Sequence, residues 1–201
     1  DDVYRENLEA LVESGRVPEK VLDEAVRRIL RVKFRLGLFE KPYIEELPDE
    51  QRYLSIEARA AARELAAESM VLLKNSGATL PVAGDVRRIA LMGPMADNRA
   101  DLMGSWWGQG EAGDVVTILE GVKAEFAGKA RIDYVKGCDF DGEDRSEFAR
   151  AAAAARAADL VVLCVGEKRG WSGENASRAS LALPSIQEEF VREMARTGRP
   201  V

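Results

Sequence analysis

Three short apolar runs, each ending in glycine, constrain the fold of this chain more than any other feature. They are RRIALMG at residues 87–93, RIDYVKG at 131–137 and LVVLCVG at 160–166. Segments with apolar residues at helical spacing alternate with them, at residues 117–126, 145–158 and 184–196. Strands alternating with helices of about 10–15 residues are typical of βαβ units. The sequence therefore predicts an α/β domain with a mostly parallel sheet covered on both faces.

The first 69 residues have a different pattern, without strand-like runs. Apolar residues recur at helical spacing in two segments within residues 3–37 and in an Ala-rich segment at 50–69. The segment FEKPYIEELPDE between them carries two prolines and no periodicity, which predicts a linker. The run VLLKN at 71–75 is a candidate short strand.

Charge and composition exclude several classes of function. The net charge is −6 and no segment is strongly basic, so no nucleic-acid partner is expected. No apolar run is long enough to span a bilayer, and no secretory signal opens the chain. The chain begins without Met and ends in TGRPV, so we expect an internal piece of a longer protein. Its compartment therefore stays open.

The absence of histidine limits the chemistry further. Without histidine the chain holds neither a Ser-His-Asp triad nor an HExxH zinc site, so acid–base chemistry falls to other groups, carboxylates among them. Cys138 and Cys164 are too few for a disulfide framework and are expected to be buried thiols. The segment DFDGED at 139–144 lacks the spacing of a calcium loop, so neither a metal nor a cofactor is predicted.

Two loops that follow predicted strands carry the candidate site residues. In open parallel sheets, ligands bind beyond the carboxyl ends of the strands. The glycine-rich segment 93–110 matches no phosphate-binding motif but contains Trp106 and Trp107, which either pack in an interior or present an indole face to a sugar. The segment GWSGENASR holds Glu174 among small and polar residues, with Arg178 close enough to hold a carboxylate. Glu167, at the end of the last predicted strand, is the rival carboxylate.

Four segments resemble glycoside hydrolase family 3, in the manner of bacterial β-glucosidases. GRVPEKVLDEAVRRILRVKFRLGLFEKPY resembles the end of that family's barrel domain, and ARELAAESMVLLKNSGATLPV resembles the entry into its second domain. IALMGPMADNRADLMGSWWGQG and VVLCVGEKRGWSGENASRASLALPSIQEEFV continue the resemblance in the same order. The resemblance covers essentially the whole chain.

The resemblance implies a site shared between two domains. Members of the family join a (β/α)8-type barrel to an α/β sandwich and are retaining β-glycosidases. An Asp on the barrel is the nucleophile, and a Glu on the sandwich is the general acid and then the general base. That role passes to Glu174, with Glu167 as runner-up. Trp106, Trp107 and Arg178 are expected to contact substrate, although WWGQG departs from the Trp spacing of some members.

The resemblance also sets the expected domains, substrate and partners. Residues 1–39 are expected to be the last barrel helices, 40–69 a linker with a connecting helix, and 70–201 the first part of the sandwich. The expected substrate is a terminal non-reducing β-D-glucoside or a short β-linked gluco-oligosaccharide. The nucleophile is expected upstream, on a barrel that is the main partner, so residues 1–201 alone are expected to be inactive.

Several alternatives remain open from the sequence. The same scaffold hosts β-xylosidases and N-acetyl-glucosaminidases, and an α/β domain of this kind can also be a non-catalytic carbohydrate-binding domain. A homodimer and a periplasmic or secreted location fit bacterial relatives, while neither is encoded in these residues.

Overall fold

The computed structural model describes residues 2–46, 48 and 53–201. The chain divides into two compact units, Asp1–Val71 and Leu72–Val201. The predicted assignment of residues 1–39 to a barrel and of 40–69 to a linker stays a prediction. Among the described residues, no helix is both long and apolar enough to cross a bilayer.

The first unit consists of helices with exposed apolar side chains. Helix α1 spans Val3–Glu13, α2 spans Glu19–Arg35 and α3 spans Ile56–Ser69. Helix α3 begins after Ser55, whose hydroxyl accepts a hydrogen bond from the Ala58 amide at 3.2 Å. The predicted start of this helix at 50–52 lies outside the described residues. No described residue of the three helices is buried.

The second unit is built on a three-stranded parallel sheet. Strand β1 spans Arg88–Met92, β2 spans Arg131–Val135 and β3 spans Leu160–Leu163. The strand order is β2-β1-β3, with β1 central. Ile89 pairs with Ile132 of β2 and with Leu160 of β3. All three strands begin and end within the predicted runs.

Helices cover both faces of the sheet, as the sequence predicts. After the short α4 (Arg99–Leu102), α5 spans Ile118–Glu125, α6 spans Phe148–Ala157 and α7 spans Ser185–Ala195. One core cluster joins the sheet to α6 and α7, and the other joins it to α5. Ala90 and Leu91, which are adjacent in β1, belong to different clusters because successive strand side chains point to opposite faces. Small alanines of α6 are fully buried, which permits the close packing expected for this helix.

One predicted element is wrong, and the short helices within the loops were not predicted. Residues 71–75 form no strand, because their apolar side chains are exposed and they pair with no neighbouring strand among the described residues; Leu73 is 91% exposed. A strand needs a paired neighbour to satisfy its backbone, which local composition does not reveal. Helix α4, which interrupts the loop after β1, is too short to give a periodic signal.

Candidate active site

The candidate site lies at the carboxyl edge of the sheet, where two long loops follow the adjacent strands β1 and β3. We call residues 93–117 the Trp loop and residues 164–184 the Glu174 loop. Because β1 and β3 are parallel neighbours, both loops leave the sheet at the same edge. The sequence prediction that function belongs beyond these strands therefore points to a single place.

The two loops begin in close contact. Gly93 has a φ of +108°, and a Cβ built on it would lie 2.2 Å from the carbonyl oxygen of Cys164. The amide of Met95 donates a hydrogen bond to that same oxygen at 3.1 Å. Only glycine fits this conformation and this spacing, so the glycine that ends the first apolar run sets the approach of the two loops.

A second contact joins the loops next to Glu174. Gly173 has a φ of +97°, and a Cβ there would lie 2.8 Å from the Cβ of Ser105. The hydroxyl groups of Ser105 and Ser172 are hydrogen-bonded at 3.1 Å. Further back, the amide of Arg169 donates to a carboxylate oxygen of Asp101 at 2.9 Å. The small residues that precede Glu174 therefore fit it against the Trp loop.

Glu174 lines an open cavity together with both tryptophans. The cavity has a volume of about 390 Å³ and is lined by Ser105, Trp106, Trp107, Arg169, Gly170, Ser172, Glu174, Asn175 and Ala176. The Glu174 side chain is exposed, and within the described residues it makes no hydrogen bond or ion pair. Its carboxyl group is therefore free to meet a ligand from this side.

The two tryptophans differ in their surroundings. Trp106 is 75% exposed, and its indole nitrogen would lie 3.7 Å from a Cβ at position 173. Trp107 is 44% exposed, and the Arg169 guanidinium lies 5.0 Å from its ring centroid. One face of Trp107 is therefore occupied by a cation. Trp106 is the ring with the more accessible surface beside Glu174.

Glu167 and Arg178 pair with each other instead of facing Glu174. Arg178 Nη1 lies 2.8 Å from Glu167 Oε1. Arg178 lies four residues after Glu174 in the sequence. In the structure, however, its guanidinium pairs with Glu167, at the other end of the same segment. The roles of these residues toward substrate stay predictions.

Gln187 is a supporting residue that sequence reasoning missed. Its side chain, on α7, is completely buried. The amide oxygen accepts from the Gly166 amide, and the amide nitrogen donates to the carbonyl oxygens of Gly166 and Phe140, each at 2.8 Å. It therefore joins the start of the Glu174 loop to the loop after β2. A polar residue on the apolar face of the predicted helix was the available signal.

Lys168 provides a second link between the loops after β2 and β3. Its amine donates to both carboxylate oxygens of Asp141, at 2.8 and 3.0 Å. This hydrogen bonding raises the pKa of Lys168 above the ordinary value for a lysine amine, so the group stays charged. The amine also lies 5.3 Å from the Trp171 ring centroid.

We expect Gln187→Met to destabilise the second unit, Leu72–Val201, which we call the sandwich unit, by about 2 kcal/mol or more. The change leaves buried backbone groups without partners, each costing roughly 1–3 kcal/mol. The methionine has a similar volume and keeps the packing of the helix. The measurement is thermal unfolding of the complete protein. Gln109→Met, which changes an exposed glutamine, is the matched control; equal midpoints for the two variants would contradict the role given to Gln187.

The two cysteines are buried and unpaired, as the sequence predicts. Burial raises the pKa of each thiol, Cys138 and Cys164, to about 11. Both thiols are therefore protonated and unreactive at neutral pH. Within the described ranges, no group of three or more His, Cys, Asp or Glu side chains is placed to hold a metal ion.

A larger cavity, of about 830 Å³, lies at the opposite edge of the sheet. Its lining comes from residues 82–87, which precede β1, and from the end of α5 and the turn before β2. The Glu174 loop does not reach it. The larger of the two cavities therefore lacks the candidate acid/base residue Glu174. We place the candidate site in the smaller cavity, at the carboxyl edge of the sheet.

Comparison with known families decides what this site belongs to. The model of the glycosyl hydrolase family 3 C-terminal domain matches residues 70–201, which include both loops. The chain belongs to glycoside hydrolase family 3. Its α/β sheet with helices on both faces is the fold expected for the C-terminal domain of that family.

Two curated glycosidases match the chain over most or all of its length. The periplasmic β-glucosidase of Salmonella typhimurium strain LT2 is 36% identical over 226 residues, covering 100% of this chain and 29% of the relative. The β-xylosidase of Formosa agariphila is 34% identical over 194 residues, covering 90% of this chain and 26% of the relative. The chain therefore spans less than a third of the length of these relatives.

A solved structure of a β-glucosidase shares the fold. The crystal structure of the β-glucosidase from Listeria innocua in complex with isofagomine superposes with a TM-score of 0.87. Its sequence is 35% identical, and the match covers 98% of this chain and 27% of that chain. Structures of the same enzyme with glucose and, for a mutant, with laminaribiose match with TM-scores of 0.85.

Proposed function

We propose that this chain is the part of a retaining β-glucosidase that supplies the general acid/base, Glu174, and a sugar-stacking residue, Trp106. The observation that carries the proposal is their shared cavity at the carboxyl edge of the sheet. The carboxyl group of Glu174 is accessible, and the Trp106 ring beside it is largely exposed. An acid next to an apolar platform suits one of the two carboxyl roles in glycoside cleavage, that of the general acid/base.

Each residue has a distinct task in this mechanism. Protonated Glu174 donates its proton to the glycosidic oxygen as the aglycone leaves, while a carboxylate nucleophile attacks the anomeric carbon. The ionised Glu174 then removes a proton from the water that releases the sugar from the glycosyl-enzyme. The Trp106 indole offers a flat apolar surface to the C–H groups of a pyranose ring.

The nucleophile and most of the sugar-binding residues are proposed to come from a barrel domain elsewhere in the complete protein. Retention requires the two carboxyl groups to lie about 5–5.5 Å apart. Two apolar residues of α2, Ile29 and Phe34, are each 61% exposed. Apolar side chains presented in this way support the rest of the polypeptide as partner.

A β-xylosidase is the second candidate, because a β-xylosidase is 34% identical over 90% of this chain. A xyloside differs from a glucoside by the missing hydroxymethyl group. The expected substrate is a β-D-glucoside, because the β-glucosidase relative matches all of this chain at 36% identity. The closely related β-D-xyloside is the alternative that the experiment must separate.

The proposal is tested with the complete protein and matched nitrophenyl glycosides. We expect higher kcat/KM for the β-D-glucoside than for the β-D-xyloside, and β-glucose as the first product detected by proton NMR. Preference for the xyloside would transfer the assignment to the second candidate. A first product in the α configuration would contradict retention, and sugar binding without turnover would indicate a non-catalytic domain. Residues 1–201 alone serve as the control and are expected to be inactive.

A further inference from the structure

The segment that carries Glu174 is closed at its base by an ion pair. Glu167 and Arg178 stand on either side of residues 168–177, and the guanidinium and carboxylate meet at 2.8 Å. The Arg178 side chain is only 23% exposed, whereas that of Glu167 is 44% exposed. The guanidinium of this pair is therefore screened less by solvent than the helix arginines Arg192 and Arg196, whose side chains are 71% and 76% exposed.

Arg178 makes two further contacts, both with the same loop. Its Nη2 donates a hydrogen bond to the carbonyl oxygen of Ala182 at 2.9 Å. Its guanidinium carbon lies 5.1 Å from the centroid of the Trp171 ring. These interactions of Arg178 are all with residues of the Glu174 loop. They comprise an ion pair, a hydrogen bond from the guanidinium and a stacking contact with an aromatic ring.

Trp171 connects this cluster to the rest of the sheet edge. Its ring meets Phe140 edge-on, with centroids 6.4 Å apart and an interplanar angle of 82°. Phe140 is 3% exposed and its carbonyl oxygen accepts from Gln187. The Arg178 guanidinium thus stacks on a ring that is itself anchored to the buried part of the unit.

From these contacts we infer that Glu167 and Arg178 form a clasp that positions the Glu174 carboxyl group for proton transfer. Both are positioning residues, and neither touches the substrate. The inference rests on the proposed function and assigns Arg178 a different role from the substrate contact expected from sequence. It also accounts for the carboxylate of Glu167, the rival to Glu174.

The contacts of Ser172 and Gly173 with Ser105 hold the residues just before Glu174, but not Glu174 itself. Within the described residues its side chain makes no hydrogen bond or ion pair, and the segment also contains Gly170. Glycine raises the conformational freedom of a loop. A displacement of a catalytic group by about 1 Å can cost roughly 10²-fold in rate. Opening the clasp should therefore act on the rate of proton transfer and leave sugar binding nearly intact.

The test uses Glu167→Gln, Arg178→Gln and the double variant in the complete protein. Each single variant is expected to lower kcat about 10–100-fold on alkyl β-glucosides, whose leaving groups need a proton, with KM unchanged. The double variant should be no slower than the singles, because either change opens the same ion pair. Arg178→Lys, which keeps the charge, should recover part of the loss.

The helix pair Glu188–Arg192 provides matched controls. Its atoms meet at 2.9 Å, nearly as close as the 2.8 Å of the clasp, but the Arg192 side chain is 71% exposed on α7. Glu188→Gln and Arg192→Gln should keep wild-type kinetics. Hydrogen exchange of peptides that cover β1 and β3 shows whether each variant is folded; slow exchange there with reduced kcat supports positioning and excludes a general loss of structure.

Four outcomes would overturn the clasp. Azide rescue of a Glu167→Ala variant, with formation of β-glucosyl azide, would make Glu167 the acid/base itself. Additive losses in the double variant, or a raised KM for Arg178→Gln alone, would indicate separate contacts with substrate. Wild-type kinetics for both singles would show that the loop needs no restraint. If Glu174→Ala is fully active, the proposed function fails; if Glu174→Ala behaves as an acid/base variant and both clasp variants stay active, only the clasp fails.

Discussion

Replacing Glu174 by alanine in the complete protein is expected to slow the hydrolysis of alkyl glucosides and disaccharides by about 10²–10⁴-fold, the usual contribution of general acid–base catalysis. These leaving groups depart as alcohols and need a proton. Dinitrophenolate leaves without protonation, so the formation of the glycosyl-enzyme from dinitrophenyl glucosides should be slowed much less. An equal loss of kcat/KM, which reports formation of the glycosyl-enzyme, on both classes of substrate would contradict the role of Glu174 as acid.

Azide gives the same variant a second, independent readout. With the carboxyl group removed, the small anion can enter the vacated space and attack the glycosyl-enzyme without the help of a base. We expect azide to restore turnover of the dinitrophenyl glucoside and to yield β-glucosyl azide. Glu143→Ala is the matched control, because Glu143 is also an exposed glutamate in a loop at this edge of the sheet, after β2. Glu143→Ala should keep wild-type activity on both classes of substrate, and azide should leave its rate unchanged.

The rival assignment makes an opposite prediction. If Glu174→Ala keeps wild-type activity while Glu167→Ala loses it and responds to azide, the acid/base is Glu167. Two observations argue against that outcome: the Glu167 carboxylate is paired with Arg178, and Glu167 is not among the residues that line the cavity of Glu174 and Trp106.

Gly93→Ala is expected to destabilise the sandwich unit by about 2–6 kcal/mol, since a strained backbone conformation costs roughly 1–3 kcal/mol and overpacking a similar amount. The added Cβ would lie 2.2 Å from the carbonyl oxygen of Cys164 and 2.7 Å from its carbon. Those are backbone atoms of the neighbouring loop and cannot rotate away. Relief requires the ends of β1 and β3 to separate, which would also part the Trp loop from the Glu174 loop.

The measurement combines thermal unfolding with peptide-resolved hydrogen exchange of the complete protein. Peptides covering β1 and β3 should exchange faster in Gly93→Ala. Gly121→Ala is the control: Gly121 lies within α5, a Cβ added to it would meet no heavy atom within 4 Å, and alanine there should stabilise the unit by about 0.5–1 kcal/mol. Unchanged exchange at β1 in Gly93→Ala would contradict the close approach that we describe.

The sequence predicted the fold wherever a feature repeats locally. The alternation of apolar runs and helical segments correctly indicated a parallel sheet with helices on both faces. Burial of Cys138 and Cys164 followed from their place in or next to apolar runs, and the choice of Glu174 came from its loop and from the family resemblance. The predicted strand at 71–75 was wrong because strand-like composition is a local feature, whereas strand pairing depends on a partner that is distant in the sequence.

Only the tertiary structure decided how the candidate site is held together. Arg178 pairs with Glu167, and Gln187 is buried between two loops. Gly173 packs against Ser105, whose hydroxyl is hydrogen-bonded to Ser172, 67 positions further along the chain. Contacts between distant segments leave no periodic trace in a sequence, because each depends on where two loops meet after the sheet has formed. The residue types of the site were readable in advance, while their partners were fixed by packing.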